Sequence, residues 1–331
     1  MKWRIIAVIA SIIPLIIIAL LLDVAPEDIF AVGIVPFLLA SLAGFAKLVV
    51  QGVRFSHYLR SFVGRVGSIG KNIEIRMGSE FVTLTTPAYT GGEFVRVAWL
   101  YKKGVHSGKG MWIVTTEVIS DVLVGSILAF MAAFLAFISE NYLIATSIVV
   151  ITAPIFTAYM TLLILSSKRI LQMPRFTLPL LTRFVGSAKG EKWTNTMNDA
   201  VKVLCESARE NLYRSSSIKI FAVGLALTFL GASLHGLTFM LIANTTATLG
   251  FFESLMSVAA SVAIGTLPVS PGGSGLSEVG IGYYLVTFGM DPTTFGSVII
   301  AWRVASYHIP LLISWIALMM TTVKVKKGKP T

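Results

Sequence analysis

Long apolar runs separated by short polar or basic connectors set the rhythm of this chain. Runs near Ile5–Leu22, Ile29–Val50, Trp112–Ile138, Leu143–Ser167, Ile220–Asn244 and Thr294–Val323 meet or exceed the roughly 18–20 mostly apolar residues that cross a bilayer as a helix. Two further regions, about 66–101 and 254–290, are apolar but interrupted. The pattern predicts an all-α, polytopic integral membrane protein with about six full spans, forming one transmembrane domain over residues 1–331. The opening MKWRIIAVIASIIPLIIIALLLD resembles a signal peptide, but its apolar run is long for one and no small-x-small cleavage site follows. It is expected to stay as the first span.

The interruptions carry most of the information. One reads TTPAYTGGEFVRVAWLYKKG and the other GTLPVSPGGSGLSEVGIGYYLVTFG; each runs Pro, three residues, Gly-Gly and then a Glu that opens a new apolar helix. The residues concerned are Pro87, Gly91, Gly92 and Glu93 in the first, and Pro268, Pro271, Gly272, Gly273, Gly275 and Glu278 in the second. Ser254–Leu267 provides only about 21 Å of helix at 1.5 Å per residue, too short for a hydrocarbon core of roughly 30 Å. The expected shape is a re-entrant hairpin at each break. The order becomes span, span, hairpin, span, then span, surface segment, span, hairpin, span. Two halves, about 1–140 and 141–331, with related hairpins entering from opposite sides make an inverted repeat, in which broken helices mark the substrate site.

Composition sharpens this picture. Hydrophobic residues make up 55% and charged residues 13%, against roughly 25% charged in a soluble domain, which excludes a soluble enzyme and a disordered chain. A single cysteine excludes a disulfide framework and a Cys-based metal site. The net charge of +11 reports topology rather than nucleic acid: all but one of the 27 Lys and Arg fall on one side if six spans cross. The other side holds DVAPED, SEN and the NTTATLGFFE and FGMDPTT connectors, the third of these with the sequon Asn244-Thr245-Thr246. A multi-pass protein of the cell membrane with both termini cytoplasmic is expected. Residues 54–65, with Arg54, Arg60 and Arg65, and the helix TNTMNDAVKVLCESARENLYR, with Met197, Val201, Leu204 and Ala208 on one face, could lie on the membrane surface; the second could equally pack under the bundle.

The exception to the charge rule is Arg303. It lies about 16 Å along the last span, near mid-membrane, so it should face the interior with an acidic partner. Candidates are Glu278 and the pair Glu117/Asp121, four apart on one face of the third span. Arg303 is either half of a structural ion pair or the group that holds a lipid phosphate through its planar fork. Arg96, three residues after Glu93, is its cytoplasmic counterpart or a snorkelling interfacial arginine. A Gly-Gly turn before a helix presents free N–H groups to an anion. Against that, Thr90–Glu93 and Gly275–Glu278 fit capping boxes, leaving the glutamates as caps. His235 and His308 read as hydrogen-bonded packing residues, and Trp112 and Trp302 as core or interface anchors. GRVGSIGKN is rejected as a P-loop, having the wrong glycine spacing and no Ser/Thr at Asn72.

LPVSPGGSGLSEVGIGYYL followed by an Arg in the last span resembles the closing signature of the lysylphosphatidylglycerol synthase transmembrane-region family, also called the flippase-like domain family. TPAYTGGEFVRVAWLYKKGV resembles its earlier segment, matched by Pro87, Gly92, Glu93 and Arg96. WIVTTEVISDVLV resembles its following helix, with Glu117 and Asp121 as the acids and Val118 where an Arg is usual. The resemblance implies translocation of an anionic or phosphate-bearing lipid, such as an aminoacylated phospholipid or a polyprenyl-phosphate-linked sugar, between leaflets. No transferase domain is appended, so the synthetic activity is not implied. The expected ligand is an anionic membrane lipid, with a lipid-modifying transferase as a further partner, no nucleic acid, and no catalytic residue, metal or cofactor. Two alternatives remain: an integral-membrane enzyme acting on a lipid phosphate, with Glu117, Asp121 or Glu278 as acid or base, and a non-transporting scaffold for a lipid-modifying enzyme.

Overall fold

A computed structural model describes residues 2–21, 24–87, 89–168, 187–214, 217–290 and 295–326. The first half contains α1 (Lys2–Leu21), α2 (Pro26–Ala31), α3 (Ile34–Phe62), α4 (Ile69–Leu84), α5 (Gly92–Lys102) and α6 (Ser107–Ile138). The second contains α7 (Tyr142–Lys168), α8 (Ser187–Leu212), α9 (Ser217–Ala243), α10 (Phe251–Gly265), α11 (Leu276–Leu285), α12 (Gly296–Arg303) and α13 (Ile309–Lys326). A π-helical turn, Val304–His308, joins the last two. The chain is a polytopic all-α membrane protein, and no named strand occurs among the described residues.

Among the described residues, five helices are long and apolar enough to cross a membrane: α3, α6, α7, α9 and the combined run Gly296–Thr321. The sixth expected span corresponds to α1, whose apolar stretch Ser11–Leu21 is shorter. Large apolar side chains point outward along the long helices, among them Leu38 and Leu42 on α3, Phe134 on α6 and Val150 on α7. That is the signature of lipid-facing surface, where apolar side chains have nothing to hide from. Between helices the contacts are small. Ala129, Ala132, Ala133 and Ala136 of α6 pack against Ile144, Ala145 and Ile148 of α7.

The sequence expectation for residues 54–65 is corrected here. They are not a surface segment: α3 continues unbroken to Phe62 and Arg54 is buried within the bundle. The reason is charge pairing, since acidic groups on α6 draw Arg54 inward. For α8 the bundle-packed alternative holds. It lies against α6 and α7, with Ala200, Cys205 and Ala208 buried, while Met197, expected on the apolar face, is exposed.

The helix contacts come in matched sets. α3 packs against α4 as α9 does against α10, and α4 packs against α13 as α10 does against α6. At both of the first pair of crossings a glycine meets the fifth residue of the following helix. A Cβ on Gly52 would fall 2.7 Å from the Ile73 Cα, and one on Gly236 2.9 Å from the Leu255 Cα. α3 and α9 form the most extensive helix pair.

Candidate functional site

Both sequence breaks interrupt helices, and their tips touch. α10 ends at Gly265 and α11 begins after Gly275. Between them Gly272, Gly273 and Gly275 hold φ values of +55°, +62° and +90°, a left-handed region that other residues rarely occupy. Space also demands glycine. A Cβ on Gly272 would run into the Tyr307 ring, and one on Gly273 would lie 2.5 Å from the Gly265 carbonyl oxygen. In the first break, α4 gives way at Thr85 and α5 starts after Gly91, with φ +102°. Pro87 and Pro271 form an antiparallel bridge, and the Gly272 N–H donates to the Thr86 carbonyl at 3.3 Å. Tyr307 donates its hydroxyl proton to the Leu84 carbonyl at 2.8 Å, and Tyr89, at φ +53°, sets its hydroxyl 3.4 Å from Ser277 Oγ. Pro268 is exposed and is not part of the Pro87–Pro271 bridge.

Arg303 sits beneath the second tip, buried as its mid-span position predicted. Its Nε is 2.8 Å from Glu278 Oε1, its Nη2 donates to the Gly272 carbonyl at 2.5 Å, and its guanidinium lies 4.2 Å from the centre of the Tyr307 ring. The partner is therefore Glu278 and not the Glu117/Asp121 pair. The other oxygen of Glu278 accepts the Gly275 N–H at 2.8 Å. Glu278 is thus both helix cap and ion-pair partner. Its carboxylate already occupies the N–H group that a bound anion would use at the start of α11.

Glu93 repeats the arrangement. One oxygen accepts the Gly91 N–H at 2.7 Å and the other lies 3.5 Å from Arg96 Nη2. The expected cap shifts by one residue, because Gly91 and not Thr90 is the N-cap; Thr90 Oγ1 instead closes a turn on the Pro87 carbonyl at 3.1 Å. Gly92 follows as the first helical residue and is buried against Ser79 and Thr83 of α4. Arg96 does not snorkel. It is buried, with Nε 3.2 Å from Glu117 Oε2.

Glu117 and Asp121 belong to a second charge centre, remote from Arg303. Arg54 grips Asp121 with both arms of its guanidinium, at 2.5 and 2.8 Å, and donates to Thr228 Oγ1 at 2.7 Å. Arg76 donates to Glu80 at 2.5 Å. Glu117 lies among three guanidiniums, 3.7 Å from Arg54, 3.6 Å from Arg76 and 3.2 Å from Arg96. Arg54, Arg76 and Glu80 are site residues that the sequence reading missed. The i, i+4 pair Arg76/Glu80 inside an apolar arm was the available signal. Nearby, Lys47 Nζ is 3.2 Å from His235 Nδ1, and the His235 ring stacks on Trp302 with centroids 5.8 Å apart. His308 lies 3.4 Å from Ser11 Oγ, and Trp112 and Trp302 are both core residues.

Comparison with known proteins agrees with this architecture. The family described as lysylphosphatidylglycerol synthase TM region matches residues 4–314. A protein of Archaeoglobus fulgidus described as a UPF0104 membrane protein is 25% identical over 272 residues, covering 81% of each chain.

Proposed function

Because the chain belongs to the lysylphosphatidylglycerol synthase transmembrane-region family, we propose that it carries a phosphate-bearing anionic lipid from one membrane leaflet to the other. The observation that supports this most directly is the meeting of two glycine-built tips around the buried Arg303–Glu278 pair. Unpaired backbone at membrane depth is tolerated where it lines protein or a wet path, and a buried arginine in a spanning segment favours such a path. Read this way, both hairpins are re-entrant and the matched helix contacts belong to an inverted repeat. The tips Pro87–Gly92 and Pro271–Gly275 form a closed gate. Opening it on alternate sides exposes Arg303 to a headgroup while the lipid chains stay in hydrocarbon. On this reading the basic connectors and both termini are cytoplasmic and the membrane is the cell membrane. The protein is then a carrier, with Glu278 and Asp121 serving to hold Arg303 and Arg54 in place. A transferase that modifies the headgroup is the natural partner class.

Reconstitution into vesicles with fluorescent anionic lipid tests the proposal. Accessibility of the probe to a membrane-impermeant quencher should change with the wild-type chain. Arg303→Ala should slow it by at least about tenfold, the effect of about 1.4 kcal/mol on a barrier. An Arg303→Ala protein that transports at the wild-type rate removes Arg303 from the mechanism. A wild-type chain that moves no lipid overturns the proposal.

A further inference from the structure

The second charge centre holds an unusual carboxylate. Asp121 and Glu80 each make close, aligned hydrogen bonds to an arginine. Glu117 does not: it is 1% exposed and 3.2–3.7 Å from three guanidiniums, yet neither oxygen has an aligned hydrogen bond. The Nε atoms of Arg54, Arg76 and Arg96 lack aligned partners as well. Buried polar groups are normally hydrogen-bonded, and a buried ion pair stabilises only when its geometry is good. The two Glu117 oxygens and the Nε atoms of Arg76 and Arg96, 3.6 and 3.2 Å from them, therefore ask for a different anion from the one in place. A carboxylate presents two oxygens in a plane. A phosphoryl group presents three or four in a tetrahedron and suits several guanidinium forks at once.

We propose that this cluster is a second station for a lipid phosphate, and that Glu117 is its stand-in anion, displaced when a headgroup arrives. Resting on the transport reading above, this adds an inner binding station made by Arg54, Arg76 and Arg96. With Glu117 present, the three arginines face Glu80, Glu117 and Asp121, and Arg96 also meets Glu93. A phosphate that takes over the guanidiniums frees the Glu117 carboxylate to swing aside. The cluster is not sealed. The Asp121 side chain is 47% exposed and that of Glu93 29%, and a turn beyond Asp121 a Cβ on Gly125 would meet nothing within 4 Å. Asp121 and Gly125 lie on a spanning helix, so this edge opens sideways, where a headgroup can enter with its chain still in the bilayer.

Removing the Glu117 charge should therefore strengthen binding rather than weaken it. Binding of short-chain phosphatidic acid, phosphatidylglycerol, phosphatidylcholine and inorganic phosphate would be measured on the purified full chain in neutral nanodiscs. Glu117→Gln should bind phosphatidic acid about tenfold more tightly than wild type, the equivalent of about 1.4 kcal/mol, with no gain for phosphatidylcholine. Adding Arg96→Gln to that variant should cancel the gain. If Glu117→Gln does not fold, Arg96→Lys decides: losing the fork should weaken phosphatidic acid binding about tenfold, and unchanged binding overturns the proposal. No gain in a folded Glu117→Gln protein, or an equal gain for phosphatidylcholine, also overturns it. Inorganic phosphate binding as tightly as the lipids would overturn the lipid assignment. Because these measurements involve no transport step, a chain that moves lipid but shows no gain loses the inner station alone. A chain that shows the gain but moves no lipid loses only the transport reading.

Discussion

Glu278 and Glu93 share a single design, one oxygen on the glycine cap of their own helix and one on an arginine, but differ in what else that arginine has. Among the described carboxylates Arg303 has Glu278 alone within ion-pairing distance, whereas Arg96 has Glu117 as well as Glu93. Removing one partner of a buried ion pair leaves an uncompensated charge worth about 3–5 kcal/mol. Glu278→Gln keeps an oxygen for the cap and should still destabilise the protein on that scale. Glu93→Gln, more exposed and backed by Glu117, should cost no more than about 1 kcal/mol. Thermal unfolding in detergent would rank the two, and equal losses would contradict the different roles. At this scale the sequence was partly readable. A lone arginine in mid-span announces that it is buried and paired, because hydrocarbon allows nothing else. Which acid it meets is decided by tertiary packing, so Glu117 and Asp121 looked equally eligible. Arg54 was misplaced for the opposite reason, since with Arg60 and Arg65 it reads as part of a membrane-surface segment.

The helical elements owe their ends to glycine and to charge. Gly272 combines a left-handed φ with a Cβ position already filled by the Tyr307 ring. Gly289 has φ +71° but open space around it. Gly289→Ala should therefore lose only the backbone term, about 1 kcal/mol, while Gly272→Ala adds a clash and should lose about 2–4 kcal/mol. The same unfolding assay distinguishes them. Both breaks were visible as Pro and Gly-Gly clusters, and the start of α11 falls where the Gly275–Glu278 cap predicted it. The last span was expected to be continuous; instead Val304–His308 forms a π-helical turn directly after Arg303. Such turns often sit at functional sites, and no residue type in VASYH forecasts one. The continuation of α3 past Val50 was hidden likewise, since its stability depends on acids located on another helix.

For the molecule as a whole, the all-α, multi-pass plan and the positions of the long apolar helices were legible from hydropathy, because a bilayer imposes their length. The packing between halves was not, as it depends on which small residues face which partner. The proposed topology makes a direct prediction. In intact cells a membrane-impermeant maleimide should label Ser139→Cys, in the connector after α6, and should label Tyr213→Cys, after α8, only once the membrane is opened. The native Cys205 is fully buried and should stay silent. The reverse pattern would turn the protein over in the membrane. One hairpin reaches across this whole plan. α4 and α5 bring Arg76 and Arg96 to Glu117, while the loop between them holds the second hairpin through Thr86, Pro87 and Tyr89. A single body with a grip at each end cannot release one without straining the other. Under the transport proposed above, that coupling would serve as an interlock between the two charge centres.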